Sequence, residues 1–407
     1  MIPKLEVYKN RVRLTSHNEI KPGLTAIESA LLLLGSPEIE LRAIHVAGTN
    51  GKGSTICFME SILKEAGIST GVFTSPAMID IHDQIRIDGV NVTEHELTNS
   101  FQELKEAGLD GMLTDFELLT AAAFVTFNRL QPDIVLIECG MGGRFDSTNV
   151  LTPLVSVIPS IAKDHQSFLG NTIEEIAWHK AGIIKKGVPV VCGELSESAL
   201  KVVNEISRDL ESPLHVYDRD FRMTDEGHEY FQGSIQLEIK TRKMKGPHQA
   251  INASVAMEAL SVLDLDLSID SIQTGIANAQ LSFRFEEVSP NLFFDGAHNP
   301  AAAKMLRETI EQQFPSEKVD FVIGMMANKE IKETLDELIP VAQSFTFIDF
   351  DVPGAATAQE VYNQCDFKNR QVTSDAFNDV IGSKDLHKKK IVSGSLYLLN
   401  SLRSHIL

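Results

Sequence analysis

Residues 42–66 read RAIHVAGTNGKGSTICFMESILKEA, and the order of signals within them sets the architecture. Arg42–Ala47 is a short, mostly apolar run, the pattern of a buried parallel strand. Ser54–Ala66 carries helical periodicity. Between them lies Gly48-Thr49-Asn50-Gly51-Lys52-Gly53. Glycines there let the backbone curl so that successive N–H groups face phosphate oxygens, and a helix N-terminus adds partial positive charge. Lys52 can reach the outer phosphates of a nucleotide, and the Ser54 hydroxyl can bind Mg²⁺. The spacing departs from G-x-x-x-x-G-K-[ST], because Gly48 and Gly51 stand too close and Gly53 precedes Ser54. The plain alternative is a glycine-rich turn. A turn alone does not call for a lysine between two glycines ahead of Ser-Thr.

Outward from this unit, strand and helix signals keep alternating, which predicts an α/β protein with mostly parallel sheets. Strands are expected at Ser69–Phe73, Asp133–Cys139, Leu154–Ile158 and Val188–Cys192. Helices are expected at Phe116–Leu130 and from Thr172 to Ala181, stopped by Gly182. His228–Lys240 has the pattern of a hairpin turning at Gln232–Ser234. Helices follow over Pro247–Leu263 and Ile269–Ala277. A second alternating run starts at Leu292 and continues through Val319–Met325, Ser344–Phe350 and Lys390–Ser393. Apolar periodicity lapses near Phe283–Asn291, so the expected domains are 1–284 and 285–407.

The bulk numbers exclude several classes. A chain of 407 residues, 43% hydrophobic and 23% charged, has material for two or three packed domains. The apolar run Ala30–Leu34 is too short to cross a bilayer, and Met1–Arg13 has no apolar signal core. Cys57, Cys139, Cys192 and Cys365 lie far apart, which fits a reduced cytoplasmic protein better than a disulfide or zinc scaffold. A net charge of −19 argues against nucleic-acid and anionic-membrane partners. Small-molecule substrates and a monomer are expected. Anionic substrates would then need local positive groups: helix N-termini, Lys, Arg and Mg²⁺.

In open α/β sheets ligands collect at the carboxyl ends of strands. Glu138 ends the apolar strand DIVLIEC (133–139), where a carboxylate is costly unless paired or bound to metal. It is either a metal ligand or the partner of Arg144. His165, after the strand Leu154–Ile158, and Ser75, after Ser69–Phe73, occupy similar places, although a lone histidine or turn serine is more often structural. Lys180, near the end of the helix in IEEIAWHKAG (173–182), has the pattern of a surface lysine at a helix C-terminus. Asp295 and His298 follow the strand LFF (292–294), and Asn299-Pro300 suits a helix start. Arg284 and Glu286 form either an interdomain salt bridge or, for the arginine, a nucleotide contact.

Taken together these segments resemble folylpolyglutamate synthase and dihydrofolate synthase, of the ATP-dependent Mur ligase superfamily. The resemblance runs through HVAGTNGKGST (45–55), TDFE (114–117), ECGMGGRFDSTN (138–149), Asp164-His165, Leu169-Gly170, KAGI (180–183), His248-Gln249 with Asn252-Ala253, DGAHNP (295–300) and SGSLY (393–397). It implies a P-loop-type ATPase domain followed by a smaller Rossmann-like domain that completes glutamate ligation. It implies that Thr49, Asn50, Gly51, Lys52, Gly53, Ser54, Asn252, Arg284, Asp295 and His298 hold ATP. Ser54, Ser75, Glu138 and His165 would hold one or two Mg²⁺. Lys52, Glu138, His165 and Lys180 would be catalytic, with Lys180 carbamylated by CO₂. Thr114, Asp115, Phe116, Glu117, Phe145, Asp146 and Ser147 would face a pterin substrate.

The implied reaction phosphorylates a folate-type carboxylate and then couples it to L-glutamate. The family pattern changes at Ala77-Met78, His82-Asp83-Gln84, Lys163, His179 and Asn328-Lys329-Glu330, largely on the acceptor side. Two other readings remain at this level: a Mur ligase acting on a UDP-sugar peptide, and a non-catalytic paralogue that senses ATP and folate.

Overall fold

Strands that are apolar on both faces need a layer of helices on each side, and strand–helix alternation supplies it. The structure, a computed structural model, describes residues 2–18, 23–77, 79–225, 228–373 and 388–406; Met78 lies outside them. It divides into two compact units, 1–242 with 250–279, and 243–249 with 280–407. The α/β expectation holds in both.

In the first unit the strands are β1 (Ala43–Val46), β2 (Thr70–Phe73), β3 (Ile85–Ile87), β4 (Val90–Asn91), β5 (Ile134–Glu138), β6 (Val155–Ile158), β7 (Val190–Cys192) and β8 (Leu214–Val216). They form one sheet in the order β4-β3-β2-β5-β1-β6-β7-β8. From β2 to β8 all neighbours are parallel, while β3 and β4 add an antiparallel edge. Every residue of β1, β2, β5, β6 and β7 is buried, which explains why they are mostly apolar. One core cluster brings together residues of the helices Leu5–Val12, Thr25–Leu33, Glu94–Glu106 and Asp115–Leu130. A second includes residues of Ile173–Lys180 and Glu197–Asp209.

A small antiparallel sheet follows, of β9 (Arg222–Asp225), β10 (Glu229–Gln232) and β11 (Gln236–Ile239). The expected hairpin is β10–β11, with its turn at residues 233–235. Strand β9 was not foreseen because Arg222-Met223-Thr224-Asp225 buries no residue and so shows no alternating face.

The second unit holds β12 (Glu286–Ser289), β13 (Leu292–Phe294), β14 (Val319–Ile323), β15 (Ala342–Ile348), β16 (Arg370–Thr373) and β17 (Lys390–Ser393), in the order β12-β13-β17-β14-β15-β16. All pairs are parallel except β12–β13. Its core is largely aliphatic and includes Phe321, Phe345 and Phe347 stacked in sequence.

All four cysteines are free. Among the described residues no helix is long and apolar enough to cross a membrane.

Candidate active site

Register places the site. Val46 of β1 pairs with Glu138 of β5, Phe73 of β2 with Ile137, and Val46 with Val157 of β6. The carboxyl ends of β2, β5, β1 and β6 therefore lie side by side. They launch, in that order, Ser75, Glu138, the glycine loop and the segment leading to His165.

The glycine loop is braced from its flank. The Thr49 amide donates to the Ser160 carbonyl (2.9 Å), and the Thr49 hydroxyl donates to the Ala162 carbonyl (2.9 Å). The Asn50 amide donates to Ser160 Oγ (3.0 Å), whose hydroxyl returns a bond to the Asn50 carbonyl (2.9 Å). Ser160 is thus a loop support that had no sequence signal beyond its place after β6. Gly51 caps the helix Lys52–Glu65 at φ 85°, a conformation that disfavours any side chain. The helix accordingly starts at Lys52 and not at Ser54, as the periodicity suggested. A Cβ on Gly51 would lie 2.4 Å from Asn252 Oδ1, so tertiary structure brings the distant Asn252 onto the loop.

Lys52 Nζ curls back to donate to the Gly48 and Thr49 carbonyls (3.2 and 3.4 Å) and stands 3.7 Å from Glu138 Oε1. Glu138 is only 5% exposed, and its other oxygen accepts from the Ser75 amide at 3.4 Å. Arg144 turns elsewhere, donating to the Trp178 carbonyl. Ser54 is buried in the first helical turn. These are hard oxygen donors beside a phosphate loop, the set Mg²⁺ takes when a nucleotide and water complete its shell. Among the described residues no three His, Cys, Asp or Glu side chains gather tightly enough to hold a metal alone. His165 caps a short helix with its side chain 45% exposed and 4.0 Å from Asp164.

The structure overturns the surface reading of Lys180. It is 3% exposed, and burial, with the nearby Lys52 charge, lowers its amine to about 7. Near neutral pH much of it is the free amine, the form that adds CO₂.

The residues expected to face a pterin are mostly committed to the fold. Thr114 and Glu117 form a capping box on the helix Asp115–Leu130. Asp115 accepts from Lys9 (3.2 Å) and Ser16 (2.6 Å). Ser147 bonds Thr120 at 2.8 Å. Asp146 is buried, its carboxyl raised by desolvation against the opposing amides of Met141, Thr148 and Gly140 and the Thr148 hydroxyl. Phe116 stacks on Phe73 and closes on Gly140. Phe145, 43% exposed, lies beside Trp178.

Beneath this loop runs a buried chain that sequence reading missed. The Thr148 hydroxyl donates to Asp146 Oδ1 at 2.6 Å, so His45 Nε2 must be the donor in its 2.8 Å bond to Thr148. Burial lowers His45 to about 3, consistent with a neutral ring. In the sequence His45 stands out only as a strand residue and as the first residue of the segment 45–55.

In the second unit Asp295 accepts from the Phe285 and Ala297 amides, both at 2.9 Å. Burial raises its carboxyl and the Arg284 charge opposes that rise. A Cβ on Gly296 would meet Arg284 Nη1 at 2.6 Å, so the arginine lies across the Asp295–His298 turn. His298 Nδ1 donates to the Gly296 carbonyl (2.8 Å). Glu286 pairs with Arg403 at 2.7 Å within the same unit.

Two family descriptions match the chain: the Mur ligase middle domain over residues 46–260 and the dihydrofolate synthetase C-terminal domain over 280–404. A dihydrofolate synthase/folylpolyglutamate synthase of Bacillus subtilis is 35% identical, covering 95% of each chain. The structure of E. coli FolC in complex with DHPP and ADP superposes with a TM-score of 0.90 at 30% identity, covering 99% of this chain and 96% of that one. The bifunctional enzyme of Yersinia pestis with AMPPNP and Mn ion gives 0.89 at 29% identity, covering 99% and 98%.

Proposed function

The chain belongs to the dihydrofolate synthase/folylpolyglutamate synthase family of the Mur ligases, and on that premise we propose how it activates a folate-type carboxylate and joins L-glutamate to it. It is an ATP-dependent ligase. The supporting observation is Lys52 on the glycine loop with Glu138 3.7 Å away at the strand ends, together with a buried Lys180 at the end of the helix Ile173–Lys180 whose amine is easily neutral.

A carboxylate is a poor electrophile. Its oxygen attacks the γ-phosphorus of ATP, the bond to the β-phosphate oxygen breaks, and ADP leaves. The glutamate amine then attacks the acyl carbon, loses a proton, and the tetrahedral adduct expels inorganic phosphate. Amides of Thr49–Ser54 and the Lys52 ammonium compensate the charge of the transferred group. Asn252, Arg284, Asp295 and His298 are proposed nucleotide contacts. Ser54, Ser75, Glu138 and His165 would hold Mg²⁺, which supplies further charge neutralisation when bound. Carbamylated Lys180 would carry a negative charge in place of an amine and orient that ion or the acyl phosphate. We place the pterin side of the acceptor against loop 140–149 and the start of the helix Asp115–Leu130, with Phe116 and Phe145 as its ring contacts. Anionic small molecules, a monomeric enzyme and a cytoplasmic setting complete the reading, the last supported by four free cysteines.

The test is ADP release and mass-detected conjugate with dihydropteroate, tetrahydrofolate or a UDP-muramyl peptide, each with and without glutamate. Glutamyl product is expected with at least one pterin acid. Turnover on the muramyl peptide alone, or none with any acceptor, would overturn the assignment.

A further inference from the structure

The last carbonyls of a helix need partners, and at the end of Ile173–Lys180 two of them, those of Trp178 and His179, accept from one residue of the facing loop. The Arg144 amide donates to the His179 carbonyl at 2.7 Å. Its Nε and Nη2 both donate to the Trp178 carbonyl, at 3.3 and 3.2 Å. The guanidinium carbon lies 3.9 Å from the Trp178 ring centroid. Asn149 Nδ2 then ties the Arg144 carbonyl (3.1 Å) to the Gly182 carbonyl (3.0 Å). The fit leaves no slack. A Cβ on Gly182 would fall 2.3 Å from Arg144 Cβ, and one on Gly143 would fall 2.9 Å from the carbonyl oxygens of both His179 and Lys180.

We propose that Arg144 is a positioning residue for Lys180: it clamps the helix end that carries the lysine onto loop 140–149, which itself springs from Glu138. The inference rests on the catalytic reading of Lys180 above. The clamp works through geometry and not through charge. The leading charged influences on the Lys180 amine come from Lys52, Cys139, Asp164 and Asp146, whereas Arg144 acts on His179. A single-point cation in its place would keep the charge and lose the two-pronged grip and the flat stack on the indole.

Arg144→Ala and Arg144→Lys in the full chain test this. Trp178 is the sole tryptophan, so its emission reports the clamp directly. In Arg144→Ala the emission shifts red, and kcat falls about tenfold or more while KM for ATP moves less than about twofold, the signature of lost orientation. The ¹³C-bicarbonate carbamate signal of the protein weakens in parallel. Arg144→Lys recovers less than half of the rate, at a melting temperature close to wild type. Wild-type kcat in the alanine variant, full recovery by lysine, or a loss confined to KM would each overturn the proposal. Should the alanine variant not fold, the lysine variant decides by the same criteria. A wild-type protein that forms no glutamyl conjugate would instead sink the ligase reading itself.

Discussion

At the residue scale, buried charge is the informative quantity. Lys52 and Glu138 face each other at 3.7 Å where the strands end. Lys52→Ala and Glu138→Ala are each expected to lower turnover by about 10³-fold with circular-dichroism melts near wild type; near-normal rates in either would remove that residue from the chemistry. Lys180 makes an opposite contribution to stability. Burial, with the Lys52 charge beside it, lowers its amine to about 7 in the fold from the usual 10.5. Between those values the unfolded chain holds a proton that the folded chain does not, so stability rises with pH across the window. Lys180→Met, without metal or bicarbonate, should therefore be more stable than wild type at pH 7 by on the order of 4 kcal/mol, yet inactive. Its advantage should shrink as the pH is raised above 7. Paired thermal melts between pH 6 and 9 read this; a constant difference would mean the lysine is not desolvated.

At the element scale, the local signals were mostly present in the chain. Thr114-x-x-Glu117 and Thr172-x-x-Glu175 are capping boxes in the structure, a pattern that also opens Glu94–Glu106 through Thr93 and Glu96. Thr114→Ala is predicted to cost about 1 kcal/mol in urea unfolding while leaving KM for the acceptor nearly unchanged. A large KM effect without loss of stability would make Thr114 a direct substrate contact. A second close approach sets where the phosphate helix lies. A Cβ on Gly275 would fall 2.5 Å from Ile62 Cα, and the Ser61 hydroxyl bonds the Gly275 carbonyl at 2.7 Å. Gly275→Ala must push Ile269–Asn278 off Lys52–Glu65, at an expected cost of about 1–3 kcal/mol; an unchanged unfolding midpoint would show that the helices can slide apart freely.

For the whole molecule, each unit has its own core clusters. A chain ending at Ala279 is expected to keep the cooperative melt of the eight-stranded sheet and to lose ligase turnover, since Arg284, Asp295 and His298 go with the removed part. Normal ADP release by that fragment would show them to be dispensable. Sequence alone determined the class, the strand–loop–helix unit and most elements, because periodicity, glycine chemistry and capping are local. It also marked Glu138, a carboxylate at the end of an apolar strand. Tertiary structure decided what depends on burial and on distant partners: that Lys180 is an enclosed, readily neutral amine, that Asn252 reaches Gly51, that Asp146 is spent on its own loop, and that Arg144 grips a helix end instead of Glu138. A side chain's environment is made by residues far away in the chain, and no spacing along it encodes how deeply a charge will be enclosed.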